Sequence, residues 1–246
     1  MRGRQPARCR GGRRGSVGLI PGPRRTADTV EGVESLLVRL GAAPGAARSV
    51  AEELVERHQE PQRRYHSLEH VHEVLAEVAR LLPFEPEADP IAVEVAAWFH
   101  DAIYDATAGP GESEEASAHL AHDRLPALWE ADRDRLADEV DRLVRLTVGH
   151  TVEADDRTGA VLVDADLWIL SSPPERYDRY AADVRAEYAH VGDEAWTAGR
   201  GSILTRFLVG ISDLYGAGPA EDRAARRDRA TANLQRELAS LRPSTG

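Results

Sequence analysis

The chain has 246 residues, 42% of them apolar and 30% charged, a globular balance with room for one well-buried domain and at most short appended arms. No run of roughly 18 apolar residues occurs, so a membrane span is not expected. The net charge of −11 conceals eight arginines and no acid in the first 25 residues, so the body of the chain is more acidic still and repels nucleic-acid backbone, although a local basic site could hold phosphate.

All 31 basic residues are arginine, which coding bias explains as readily as physics. Cys9 is the single cysteine, so neither an intrachain disulfide nor a cysteine metal cluster can form, and a reducing cytoplasm is the expected location. Residues 1–27, rich in Arg, Gly and Pro, are expected to be disordered and lack the apolar core of a secretion signal. They read as a basic arm for nucleic acid or as an unselected extension ahead of the domain. The second reading is preferred because no aromatic is available for stacking on bases.

From Asp28 onward the pattern is helical. Asp28 is expected to cap a helix carrying Val30, Val33, Leu36, Leu37 and Leu40 at helical spacing, which Gly41 ends. Pro44 opens a second helix through Val50, Leu54 and Val55 to about residue 59, and Pro61 stops it. After a polar turn over 62–67, Ser67 starts a long amphipathic helix with Leu68, Val71, Val74, Leu75, Val78, Leu81 and Leu82 on one face. Pro83, Pro86 and Pro90 punctuate a linker, and a strongly apolar helix follows from 91 to about 104. Beyond a Gly- and Pro-bearing loop come helices over 112–125 and 132–150. Residues 159–170 are apolar all round except for two Asp; their length and helical surroundings favour a buried helix over a strand. Pro173-Pro174 opens a helix through Tyr177, Tyr180, Val184 and Tyr188, and two more follow over about 194–214 and 219–241. With no convincing strand, no repeat and no Gly-rich phosphate loop, the expected architecture is an all-α bundle of about nine helices.

Three stretches carry chemistry. His66-Ser67-Leu68-Glu69-His70 sets two imidazoles four residues apart, on one face if the helix already includes His66. It also matches the H-x-x-E-H pattern of inverted zinc peptidases, with Glu69 as general base; that reading is disfavoured because those enzymes need a mixed α/β frame and a third ligand downstream. His100-Asp101 ends the most apolar helix. Taken alone, a core histidine bonded to its neighbour explains the pair, but a metal ion would use both groups as they stand. Adjacent helical side chains diverge by about 100°, so one ion could bind both only from off the helix axis. Asp164 and Asp166 place two carboxylates about 200° apart on an apolar helix, so one can face a site while the other serves as a cap or ion-pair partner. A single metal site accounts for all three stretches.

The ordered motifs are Arg64-Tyr65-His66-x-x-x-His70, Phe99-His100-Asp101-x-x-Tyr104-Asp105, a Glu and Ser-Ala element around Glu114 to Ala118, Thr147-x-x-His150, and Asp164-Ala165-Asp166-Leu167. Over about residues 30–215 this series resembles the HD superfamily of metal-dependent phosphohydrolases, and within it the small bacterial branch of predicted HD phosphohydrolases. The resemblance implies an HD-type helical domain over 28–246 with its core motifs in 64–170. It implies His70, His100, Asp101 and Asp166 as metal ligands. Asp166 is preferred to Asp164 because Leu167 follows it, and the choice stays open. His66 and His150 become second-sphere groups or ligands of a second ion, and Tyr104 and Arg200 could line the pocket.

Nitrogen and oxygen donors without thiolate suit Mn²⁺, Fe²⁺, Co²⁺, Ni²⁺, Zn²⁺ or, less well, Mg²⁺. The expected activity is hydrolysis of a phosphoester of a small molecule, such as a nucleotide, by a metal-bound hydroxide, with His100 and Asp101 as the catalytic pair and Asp101 orienting the water or taking its proton. Arg64 is the candidate to grip phosphate, or else a solvated turn arginine. Glu69, His72 and Asp105 read as helix surface and loop cap. A nucleotide-sensing HD module with little turnover is the alternative; a purely structural protein leaves the buried polar groups unexplained. The expected partner is a small phosphorylated substrate, with no membrane and nucleic acid disfavoured. Ala224, Leu234, Leu238 and Leu241 leave open whether the last helix packs on the body or on a second subunit.

Overall fold

Helix caps and stops set the frame of the molecule. The computed structural model describes residues 26–126 and 134–241, and among them the regular structure is helical throughout, with ten α-helices where the sequence pattern suggests about nine. Residues 1–25, with Cys9 and the basic arm, lie outside the described residues. α1 (Thr26–Arg39) already includes Thr26 and Ala27, so Asp28 sits in its first turn, where it complements the helix dipole, and is not its cap. Its stop is as expected. Gly41 takes φ 95°, its N–H reaches the Val38 carbonyl at 2.9 Å, and that of Ala42 reaches Leu37 at 3.0 Å. The reversed chain packs α2 (Pro44–Arg57) against α1.

α3 (Leu68–Leu81) starts one residue after Ser67, which holds the N-cap position without a side-chain cap bond. α4 (Pro90–Phe99) is capped by Asp89, whose carboxylate accepts from Ile91 N at 2.9 Å and Ala92 N at 3.1 Å, with Pro90 at the position that needs no N–H. α5 (Glu112–Arg124) and α6 (Asp134–Leu146) pair with each other, and α6 lies along α4. α7 (Arg157–Asp166) packs on both α3 and α4, and then tightens into a 3-10 turn over Leu167–Ser171. α8 (Pro174–Glu187), α9 (Asp193–Val209) and α10 (Ala220–Ser240) are the last helices of the described residues. The expected helix over 194–214 therefore ends at Gly210, with a 3-10 turn at Ile211–Asp213 beyond it.

Burial explains why residues 159–170 look apolar on every side. α7 lies between two apolar clusters: Val161, Leu162 and Ala165 join the one built by α1 to α6, whereas Val163 and Leu167 join Tyr177, Tyr180, Leu204 and Leu234 of α8 to α10. No helix of the described residues is long and apolar enough to cross a membrane.

The start of α7 is unusually tight. The Asp156 carboxylate caps it by accepting from Gly159 N at 2.8 Å and is gripped by Arg142 at 2.7 Å, and burial, which raises its pKa, is outweighed by these partners, which lower it. A Cβ on Gly159 would meet Asp156 Oδ2 at 2.3 Å and Leu146 Cδ1 at 2.7 Å. Gly159→Ala, normally a gain of about 1 kcal/mol in a helix, is therefore expected to destabilise the protein by about 1–3 kcal/mol by evicting the cap and overpacking the α6–α7 contact. Urea denaturation at neutral pH measures it.

Candidate metal centre

The turn before α3 is built on one acid. Glu187, 8% exposed at the end of α8, accepts through Oε1 from the backbone N–H groups of Arg64 (2.6 Å), Tyr65 (2.8 Å) and His66 (3.1 Å). Its Oε2 accepts from His66 Nδ1 at 2.7 Å and from the Tyr104 hydroxyl at 3.0 Å. Burial alone would raise the Glu187 pKa; the bonds and charge from His66 and the backbone donors bring it down to about 2. His66 precedes α3, so it does not share a helical face with His70, and its ring stacks on Tyr104 with centroids 4.0 Å apart. Glu69 is exposed and paired with Arg179, whereas His70 is buried.

The His100-Asp101 pair corrects the expected helix over 91–104. α4 stops at Phe99; His100 N still reaches Ala96 O at 2.9 Å, but Asp101 is in the turn beyond. Two groups enforce the stop. The Arg63 guanidinium donates to the carbonyls of Asp101 (2.6 Å) and Ala102 (3.0 Å), as well as to His66 O (3.0 Å). The Ser117 hydroxyl of α5 accepts from Ile103 N at 2.9 Å and donates to Ile103 O at 3.1 Å. Leaving the helix removes the divergence expected of adjacent helical side chains, and Asp101 Oδ2 lies 3.1 Å from His100 Nε2 and 3.4 Å from His70 Nε2.

α7 supplies the other side. Asp166 Oδ1 is 3.2 Å from His70 Nε2 and 3.7 Å from His100 Nε2, while its Oδ2 is 3.0 Å from His150 Nε2. His150 reaches it from the turn after α6 by adopting φ 54°, an uncommon conformation for a residue with a side chain. Asp164 points elsewhere: it is 3% exposed and accepts from Ala217 N at 2.6 Å, while Arg226 donates to its backbone oxygen at 2.7 Å. Burial pushes its pKa up to about 6. The two aspartates thus divide as their helical spacing allows, Asp166 toward the histidines and Asp164 toward the loop before α10.

One ligand atom from each of His70, His100 and Asp166 lies within 4.8 Å of the others, with Asp101 alongside. His100 Nδ1 is 3.0 Å from the Ala97 carbonyl, which can only accept, so Nδ1 carries the hydrogen and Nε2 of the neutral ring presents its lone pair. His70 Nε2 faces it at 3.1 Å, a separation at which at most one proton fits between the rings. Burial lowers the His70 pKa, but bonds and charge from Asp101 and Asp166 raise it to about 10; His100 is raised by Asp101 in the same way, and both carboxylates are held well below their ordinary range despite burial. Buried imidazole nitrogens and carboxylate oxygens converging on one point fit a divalent cation.

A cleft of about 230 Å³ opens on this cluster, and its walls include Asp101, Asp166, His66, His150, Glu114, Arg200 and Arg206. Arg64 is exposed and is not among its walls; only its backbone joins the Glu187 network. Arg200 is 6% exposed and committed to Glu237 at 2.7 and 3.0 Å. Arg206 is exposed, stacks over Phe207 and makes no ion pair with a described residue. Asp105 is the loop cap expected of it, accepting from Thr107 N at 2.8 Å, and His72 stands edge-on to Trp98.

Sequence reasoning missed Glu187, Arg63 and Arg206. Glu187 left a trace: Tyr177, Tyr180 and Val184 mark the buried face of α8, and position 187 continues that spacing with an acid. Arg63 and Arg64 are indistinguishable as adjacent turn arginines. Comparison of the chain with protein-family models, with curated proteins and with solved structures returns no match. Removal of the Glu187 carboxylate strands three backbone N–H groups and the Tyr104 hydroxyl. Glu187→Ala is therefore expected to lower stability by at least about 3 kcal/mol, read from the urea midpoint.

Proposed function

We propose that the protein is a metal-dependent phosphohydrolase of the HD type acting on a small phosphorylated molecule. The observation that carries this reading is the convergence of His70 and His100 Nε2 with the carboxylates of Asp101 and Asp166 at the floor of a cleft. His70, His100, Asp101 and Asp166 would hold the ion, and a donor set without thiolate suits Mn²⁺, Fe²⁺, Co²⁺, Ni²⁺ or Zn²⁺. When bound, such an ion supplies Lewis-acid polarisation of a phosphoryl oxygen and a lowered pKa for water. Asp164, committed to Ala217, is outside the ligand set.

The remaining roles belong to the walls of the cleft. Arg206, which makes no ion pair with a described residue and lines the cleft, takes the place of Arg64 as the group that holds substrate phosphate. Asp101 orients the attacking water and accepts its proton as the new P–O bond forms. His66, its Nδ1 held by Glu187, keeps Nε2 for the substrate; in its protonated form it donates to the oxygen that departs as the ester bond breaks. A base and an oriented acid beside the metal donors favour turnover over sensing.

Wild-type protein is expected to retain Mn²⁺ or Ni²⁺ through gel filtration, measured by elemental analysis. His100→Ala, Asp101→Ala and Asp166→Asn should each lose the metal and the hydrolysis of phosphoesters, while Asp164→Asn keeps the metal. A wild type that takes up no divalent ion after reconstitution refutes the reading. His66→Ala should leave metal content unchanged and slow hydrolysis of alkyl phosphates by roughly 10²–10⁴-fold, but slow p-nitrophenyl phosphate far less, since that leaving group needs no proton. An equal loss on both substrates removes His66 from the role of acid.

A further inference from the structure

A second cavity of about 370 Å³ adjoins the cleft and shares Tyr65, His66, Tyr180, Arg200 and Ile203 with it. Its size is within the range of small-molecule sites. Beyond the shared wall it is closed by Val184 and Tyr188 of the α8 end, by Val191, and by Trp196 and Gly199 of α9. The Tyr188 and Trp196 rings lie 5.8 Å apart at 42°. Arg185 braces them: its guanidinium lies 5.1 Å from the Trp196 ring centre and donates to the carbonyls of Tyr188 at 2.8 Å and Val191 at 3.2 Å.

The charged groups in this wall are already committed. Arg200 is neutralised by Glu237, which also accepts from the Tyr177 hydroxyl at 2.6 Å, and His66 is bonded through Nδ1 to Glu187. Apart from His66 Nε2 at its junction with the cleft, what the cavity offers a ligand is therefore mainly aromatic and aliphatic surface, including Ile203, which is 41% exposed. His66 stands at the junction, with the metal donors and Arg206 on one side and the aromatic walls on the other.

We infer that the cavity binds an uncharged, planar aromatic ring carried by the leaving group of the substrate, so that the site takes phosphomonoesters of ring-bearing alcohols or phenols. The inference rests on the phosphohydrolase reading for the phosphate end; the ring end stands on the cavity itself. A flat ring matches the space beside Tyr188 and Trp196, and aromatic contact adds specificity to simple burial. A nucleobase and a plain aryl group share this chemistry.

The test is calorimetric binding of phenylphosphonate and methylphosphonate, which share an anion and differ in the ring, to metal-reconstituted full-length protein. Phenylphosphonate should bind about tenfold more tightly. Gly199→Leu should fill the cavity without disturbing the fold, because a Cβ there meets nothing within 4 Å and Leu favours a helix over Gly. That variant and Trp196→Ala should each bring the ratio near one and leave methylphosphonate affinity unchanged. Adenosine 5′-monophosphate binding more tightly than phenylphosphonate, and losing that advantage in the same variants, assigns the ring to a nucleobase; weaker binding assigns it to a simple aryl group. A wild-type ratio near one, or a ratio unchanged in both variants, overturns the inference. Ring preference without hydrolysis of any phosphoester keeps this inference and sinks the hydrolase reading, and hydrolysis without ring preference does the reverse.

Discussion

Two imidazole nitrogens 3.1 Å apart in a buried pocket, with a carboxylate on either side, form an arrangement that needs positive charge between its members. Neutral rings with both lone pairs directed inward would repel, and two partly buried carboxylates beside them repel each other without a cation. The chain cannot relax this by turning His100 away, because the Ala97 carbonyl holds Nδ1. The His70, His100 and Asp166 cluster could hold a divalent ion that meets this demand. The helices around the cluster serve to keep those donors facing one another.

That task falls on the chain ends of helices and hardly at all on their middles. His70 is in the first turn of α3, His100 caps the end of α4, Asp166 closes α7 where the 3-10 turn begins, and His150 follows α6. Ends are where side chains can aim off the helix axis, and also where backbone groups lack partners. Glu187 answers three such orphan donors in the turn before α3, and Arg63 takes the carbonyls released where α4 stops. The same two residues therefore close the polar bookkeeping of the turns and hold the site in register.

The two adjoining cavities extend this division of labour. α3, α4 and α7 bring the donors; α8 and α9 bring a wall that is aromatic on one side of His66 and carries Arg206 on the other. Because α7 is shared by both apolar clusters, the donors and the wall belong to one packed unit around it.

Local pattern alone carried the helical class, the Gly41 stop, the chain order of the motifs and the short set of polar residues placed where apolar ones were expected. Those features depend on periodicity and on the conformational preferences of single residues, which a sequence states directly. The spacing of Asp164 and Asp166 showed that they must part but not which way, since the direction depends on the loop at Ala217 and on the helices packed against α7. Arg63 and Arg64 could not be told apart, nor could Glu187 be tied to a turn more than a hundred positions upstream, because hydrogen bonds across such separations leave no local signature. The tertiary structure alone decided that α4 stops at Phe99. That stop depends on Arg63 and Ser117, which reach it from other segments, and it sets His100 and Asp101 together on the same point.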